Sequence, residues 1–117
     1  MADHDAASIL TLDIERKGDM VVVRCHGRLV SEVSRNFHGR ICQLIPEYKR
    51  IVLDLCDLTN MDSMGLGTLA RLYVTAKSKG CSLELAHLGK QIRELLGMTH
   101  MLGVFTVLGE KGVTLGF

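Results

Sequence analysis

The chain has 117 residues, 47% of them hydrophobic, with a single proline, which is enough for one domain with its own core and too little for two. Fourteen Lys and Arg against thirteen Asp and Glu leave a net charge of +1, which excludes the strong field that draws a protein to nucleic acid or an anionic membrane. No run approaches the roughly 18 apolar residues of a membrane span, and the opening MADHDAAS lacks a basic-then-apolar leader, so the expected location is the cytoplasm.

Residues 1–8 are small and polar and are expected to form a flexible tail, with the domain proper over 9–117. From Ile9 the chain alternates, with Leu10, Leu12 and Ile14 on one face, as a half-buried strand does. The turn signal Lys17, Gly18, Asp19 then leads into MVVVRCHG, a β-branched second strand, and so short a connection implies an antiparallel hairpin. The period next changes: Val33, Phe37, Ile41, Leu44 and Ile45 share one face of a helix that Ser31 is expected to cap and Pro46 to stop.

IVLDL, residues 51–55, is a near-continuous apolar run of strand length, expected in a sheet centre covered on both faces. CDLTNMDSM reads as a loop. A helix follows from about Ser63, with Leu66, Leu69, Ala70, Tyr73 and Ala76 or Lys77 spaced for burial and Gly80 as its stop. CSLELAHL alternates as a strand, KQIRELLG is a short helix with Ile92, Leu95 and Leu96 inward, and VFTVL is a last strand. A hairpin followed by βαβαβ is an α/β domain with a mixed sheet, antiparallel at its start and parallel later. The ending EKGVTLGF is left unassigned.

Cys25, Cys42, Cys56 and Cys81 form no C-x-x-C pair, and His26, His38, His87 and His100 have no helical metal spacing, so neither a metal nor a cofactor is expected. The basic residues Arg35, Arg40, Lys49, Arg50, Lys77, Lys79 and Lys90 lack interleaved aromatics and read as solvated faces, not a nucleic-acid surface.

Chemistry concentrates in residues 51–67, where strand gives way to helix. Gly65-Leu66-Gly67-Thr68-Leu69-Ala70 matches G-x-G-x-x-A, with Glu84 19 residues past Gly65. A dinucleotide site, however, needs its strand to run almost directly into the first glycine, and nine residues intervene after Leu55. A plainer reading is that the glycines permit close helix-to-sheet packing while Ser63 caps the helix. Asp54 and Asp57 are expected to orient the loop, with Gly67, by accepting backbone N–H bonds. Asp62-Ser63-Met64-Gly65 is not the G-x-S-x-G elbow of a nucleophilic serine.

The ordered set IVLDLCDLTNMDSMGLGTL, an amphipathic helix ending in Lys-Gly, a strand, and xxIRELLxMTxMLxVF resembles the STAS family of anti-sigma-factor antagonists and their relatives, over about residues 9–108. The resemblance implies a small α/β fold with a sheet flanked by helices. It also implies that Ser63, directly after the loop aspartate, is phosphorylated by an anti-sigma factor that is a serine kinase, and that the chain itself is not an enzyme. Where the family commonly has D-S-S-G, this chain has Met64 as the third residue. Met61, Asp62, Ser63, Met64, Gly65 and Leu66 are then the expected docking surface, released when a phosphate adds about −1.5 to −2 charges. The alternative is a STAS subunit that scaffolds a transport or stressosome-like assembly through the same helix start without a phosphate switch.

Overall fold

The computed structural model describes residues 9–99 and 105–108. Five strands form one sheet in the order β1-β2-β3-β4-β5: β1 Leu10–Lys17, β2 Met20–Leu29, β3 Arg50–Met61, β4 Ser82–Ala86 and β5 Thr106–Leu108. β1 and β2 are antiparallel and every later pair is parallel, the mixed arrangement that the hairpin followed by βαβαβ implies. Lys17 pairs with Met20 across a two-residue turn in which Gly18 has φ +62, the left-handed geometry that tight hairpins require. The Asp19 carbonyl then accepts from Lys49 N at 2.8 Å, tying the hairpin to the start of β3.

Three helices join the strands: α1 Ser31–Leu44, α2 Ser63–Ser78 and α3 Lys90–Met98. Val33, Phe37, Ile41, Leu44 and Ile45 are all buried, as their spacing requires, and the helix gives way to a single 3-10 turn, Ile45–Glu47, that carries Pro46. Ser31 does not cap α1. The N-cap residue is Val30, which makes no side-chain cap bond, and Ser31 is the first helical residue.

The inward face of α2 is rotated from the expected one: Gly65, Thr68, Leu69, Leu72 and Ala76 are buried, whereas Ala70 is partly open and Lys77 exposed. Leu66 and Tyr73 pack partly against the core. In α3, Ile92 and Leu96 are buried and Leu95 packs at the core edge. One continuous cluster joins all three helices to the sheet face that bears Val21, Val23, Ile51, Leu53, Leu83 and Leu85. The opposite face carries a smaller cluster of Met20, Val22, Val52 and Ala86, so the centre of the sheet is buried on both sides, as the apolar run 51–55 requires.

β3 departs most from expectation. The segment CDLTN is strand, not loop, and β3 continues to Met61. Its pairing with β2 shifts register twice, from Arg24↔Asp54 to His26↔Asp57 and from Gly27↔Leu58 to Arg28↔Asn60, so β3 carries an extra residue at each step. Burial therefore falls on Leu55, Leu58 and Met61, every third residue, where an unbroken strand alternates by two. Side chains satisfy the backbone at these irregularities: Cys56 N donates to Asp54 Oδ1 at 3.0 Å, and Thr59 Oγ1 donates to the Gly27 carbonyl at 3.0 Å. The expected final strand is shortened to Thr106–Leu108. The N-terminal tail, His100 and the ending EKGVTLGF lie outside the described residues.

Candidate functional site at the start of the second helix

The long β3 delivers the chain to Asp62 with no loop between strand and helix. Asp62 has extended backbone, φ −100 and ψ −177, and is the N-cap of α2, its Oδ1 accepting from Gly65 N at 2.9 Å. Asp62 Oδ2 accepts from Ser31 N, also at 2.9 Å, the first amide of α1. One carboxylate thus satisfies an unpaired N–H at the start of each of two helices, which is where a negative charge is most favourable. The Gly65 amide, helped by that of Ser31 and opposed by partial desolvation, holds the Asp62 carboxyl below the usual carboxylate range. Neither Ser31 nor Ser63 makes the cap that an oxygen-bearing residue at each position suggests; Asp62 makes both.

Ser63 is the first residue of α2 and is exposed, and among the described residues its hydroxyl has no hydrogen-bond partner. Met64, next along, is 52% exposed. The remaining residues of the expected docking surface divide. Met61 is only 6% exposed and belongs to the core, Gly65 is buried, and Leu66 is half-buried. The outward surface at this helix start is therefore Ser63 and Met64, with Asp62 at its edge.

The two glycines have different surroundings. A β-carbon on Gly65 would lie 2.2 Å from the Leu29 carbonyl oxygen and 3.0 Å from Leu29 Cγ, so only glycine lets α2 sit against the end of β2. The Asp62 amide donates to that same carbonyl at 3.3 Å. Gly67 has no such neighbour: a β-carbon there would meet only Arg71 Nη1, at 3.9 Å. It lies inside α2 rather than in a loop.

These positions alter the grounds on which a dinucleotide site is excluded. The nine intervening residues are mostly strand, so the supposed gap before the glycines does not exist. The missing side chain of Gly65 is instead used by the β2 backbone, and Gly65 amide is committed to Asp62. Glu84, the residue placed to meet a ribose, is buried and held by Arg50 through two bonds of 3.0 and 2.7 Å and by Ser82 Oγ at 2.7 Å. Burial pushes the Glu84 carboxyl up, but the Arg50 and Ser82 bonds outweigh it and the net displacement is downward.

Asp54 and Asp57 both lie in β3. Asp54 is nearly buried and, besides Cys56 N, faces His87 Nδ1 at 3.2 Å and Arg24 Nε at 3.7 Å. Asp57 is exposed and meets His26 Nδ1 at 2.9 Å across the β2–β3 pair. Both fix the register of strands and stand apart from the Ser63 surface. Two residues have polar roles beside that surface that the sequence analysis did not assign: Thr68 Oγ1 donates to the Met64 carbonyl at 2.8 Å and accepts from Arg71 Nη2 at 3.2 Å. Their signal was the i, i+4, i+7 spacing Met64, Thr68, Arg71. Among the described residues no group of His, Cys, Asp and Glu is placed to hold a metal ion, and no helix is long and apolar enough to cross a membrane.

The family model described as the STAS domain matches residues 11–111. Among solved structures, the chain resembles an anti-sigma factor antagonist from Mycobacterium paratuberculosis, at 19% identity and a TM-score of 0.76, over 86% of each chain. It also resembles the Bacillus cell fate determinant SpoIIAA in its phosphorylated form, at 17% identity and a TM-score of 0.67, over 86% of this chain and 93% of that one. Part of the murine solute carrier 26 member A9 anion transporter has the same fold, at 18% identity and a TM-score of 0.64, with 72% of this chain matching 14% of the transporter. At such identities these likenesses establish the fold alone. With the family match spanning most of its length, the chain belongs to the STAS domain family.

Proposed function

We propose that this STAS domain is an anti-sigma-factor antagonist: it binds an anti-sigma factor that is also a serine kinase, and it is released when that kinase phosphorylates Ser63. The observation that carries the reading is the exposed hydroxyl of Ser63 at the first position of α2, directly after Asp62, whose carboxylate is already committed to two backbone amides. The chain is then a binding module and a kinase substrate, not a catalyst. Transfer of the γ-phosphoryl group of ATP to Ser63 Oγ releases ADP and the hydroxyl proton.

The physical basis of the switch is charge at a contact surface. Unmodified, the helix start offers a neutral hydroxyl and the flexible, apolar Met64, suited to adaptable packing. A phosphate adds about −1.5 to −2 charges, and burying them in an interface costs several kcal/mol. Since each 1.4 kcal/mol is about tenfold in affinity, docking weakens by roughly two to three orders of magnitude. The likeness to a SpoIIAA solved in a phosphorylated form supports the same reading here.

The test is to incubate the purified chain with the anti-sigma-factor kinases of its own genome, one at a time, with ATP, and to measure intact mass. One added phosphate, mapped to Ser63 and lost in Ser63→Ala, supports the proposal. Binding without phosphate transfer supports instead the alternative of a scaffold in a larger assembly.

A further inference from the structure

We propose that Arg71 is the counter-ion of a phosphate on Ser63, and that Gly67 is the gap through which the two meet. The inference rests on Ser63 being the modified residue. Ser63, Gly67 and Arg71 succeed one another at intervals of four, so they form one row along α2, with adjacent β-carbon positions about 5–6 Å apart. Side chains on a helix lean toward its N-terminus, and Arg71 does so. Its Nη2 donates to Thr68 Oγ1 at 3.2 Å, and its Nη1 lies 3.9 Å from where a Gly67 side chain would begin.

The guanidinium is thus held beside Gly67, one turn from Ser63, and the residue between them in the row has no side chain. Thr68 is fully buried, and its hydroxyl is itself fixed by donating to the Met64 carbonyl at 2.8 Å. Arg71 is therefore anchored by one nitrogen while the other faces the row. A phosphoserine side chain reaches several ångströms beyond its β-carbon, a span comparable with the one turn that separates it from the guanidinium. A guanidinium anchored at one nitrogen keeps the other aimed along the row, an orientation that a compact ammonium without the Thr68 anchor does not hold.

Gly67 has no other account. Among the described residues nothing crowds it, and a glycine inside a helix costs about 1 kcal/mol relative to alanine. The other charged groups around this helix start are few. Asp62 is committed to two amides, Glu32 lies in the first turn of α1, and Arg35 and His38 line the groove between α1 and α2 that Met64 and Arg71 also line. With Arg71 drawn to the phosphate, the ion pair lies across the flat strip beside Ser63. The switch then blocks the surface as well as charging it.

The test needs no kinase. Phosphoserine is installed at position 63 during translation, and the phosphate is titrated by 31P NMR in the full chain. In the parent, the second ionisation of the phosphate is lowered by the guanidinium. Arg71→Gln should raise it by about half a unit, a reduced value for an exposed pair, and Gly67→Leu should do the same by filling the gap. Arg71→Lys should restore only part of the shift. Increasing salt should shrink the difference between the parent and Arg71→Gln. Amide spectra of each variant check that the fold is kept. Equal titration of the parent and Arg71→Gln, or a rise in Arg35→Gln with none in Arg71→Gln, overturns the proposal. Either result leaves phosphorylation of Ser63 untouched, and the absence of any kinase for Ser63 leaves the ion pair untouched.

Discussion

Two glycines two residues apart should respond in opposite directions to the same substitution. In Gly65→Ala the new methyl lies 2.2 Å from the Leu29 carbonyl oxygen, with Leu29 Cγ at 3.0 Å and the Leu29 carbonyl carbon at 3.1 Å. The obstruction is mainly backbone, so it cannot be relieved by turning a side chain. To make room, α2 must move away from the end of β2, which stretches the Asp62 amide bond to Leu29 and strains the Asp62 bond to Ser31. Overpacking costs about 1–3 kcal/mol, and each weakened buried or charged hydrogen bond about 1 kcal/mol more. Against this stands about 1 kcal/mol gained from replacing a helical glycine. The expected net loss is about 2–3 kcal/mol, or roughly 8–12 °C in melting temperature for a domain of this size. In Gly67→Ala the methyl meets only Arg71 Nη1 at 3.9 Å, so the helical gain stands alone and the chain becomes more stable by about 0.5–1 kcal/mol. Urea denaturation of both variants, followed by far-UV circular dichroism, measures the two signs. A Gly65→Ala variant as stable as the parent would refute the close approach of α2 to β2.

Asp62→Ala should cost about 2–3 kcal/mol, because it removes an N-cap and a charged acceptor shared by two helices. The Asp62 carboxyl is depressed in the folded chain, so its contribution is fully present above the unfolded value near pH 4 and is lost as pH falls through the folded value. The stability gap between the parent and Asp62→Asn, measured by urea denaturation, should therefore narrow below about pH 4; a constant gap contradicts the linkage. Arg50→Met strands the buried Glu84 carboxylate and should cost about 2–3 kcal/mol, less than a fully enclosed pair because Arg50 is partly open. The double variant with Glu84→Leu should recover most of that loss in the same assay. Of the cysteines, Cys56 is exposed whereas burial pushes the Cys25 thiol up to about 12. At pH 8 a thiol reagent should modify Cys56 in the native chain and leave Cys25 intact until the protein is unfolded, as peptide mapping would show.

Most of the architecture was legible because its elements are locally consistent. The hairpin is written in alternation around Gly18, α1 in the spacing from Val33 to Ile45, and the sheet centre in the apolar run 51–55. The continuation of β3 was not legible, since polarity in CDLTN looks like a loop when burial is assumed to alternate. Two bulges change that period to three, and the polar residues Asp54 and Thr59 are there to bond the displaced backbone. Within the helix start, the serine and its exposure follow from the motif. The dual use of Asp62 does not, because the amide of Ser31 comes from a helix 31 residues earlier. Nor could the motif separate Gly65, which is fixed by a distant carbonyl, from Gly67, which is not. Met61 read as surface for a similar reason: its partners are residues of the core brought in by the sheet.

The switch itself is tested most directly by comparing the affinity of one anti-sigma-factor kinase for the unmodified chain and for the chain carrying phosphoserine at position 63. Calorimetry at fixed salt should find binding at least about a hundredfold weaker with the phosphate, and Ser63→Ala bound as tightly as the parent. Equal affinity of the phosphorylated and unmodified chains would contradict the account.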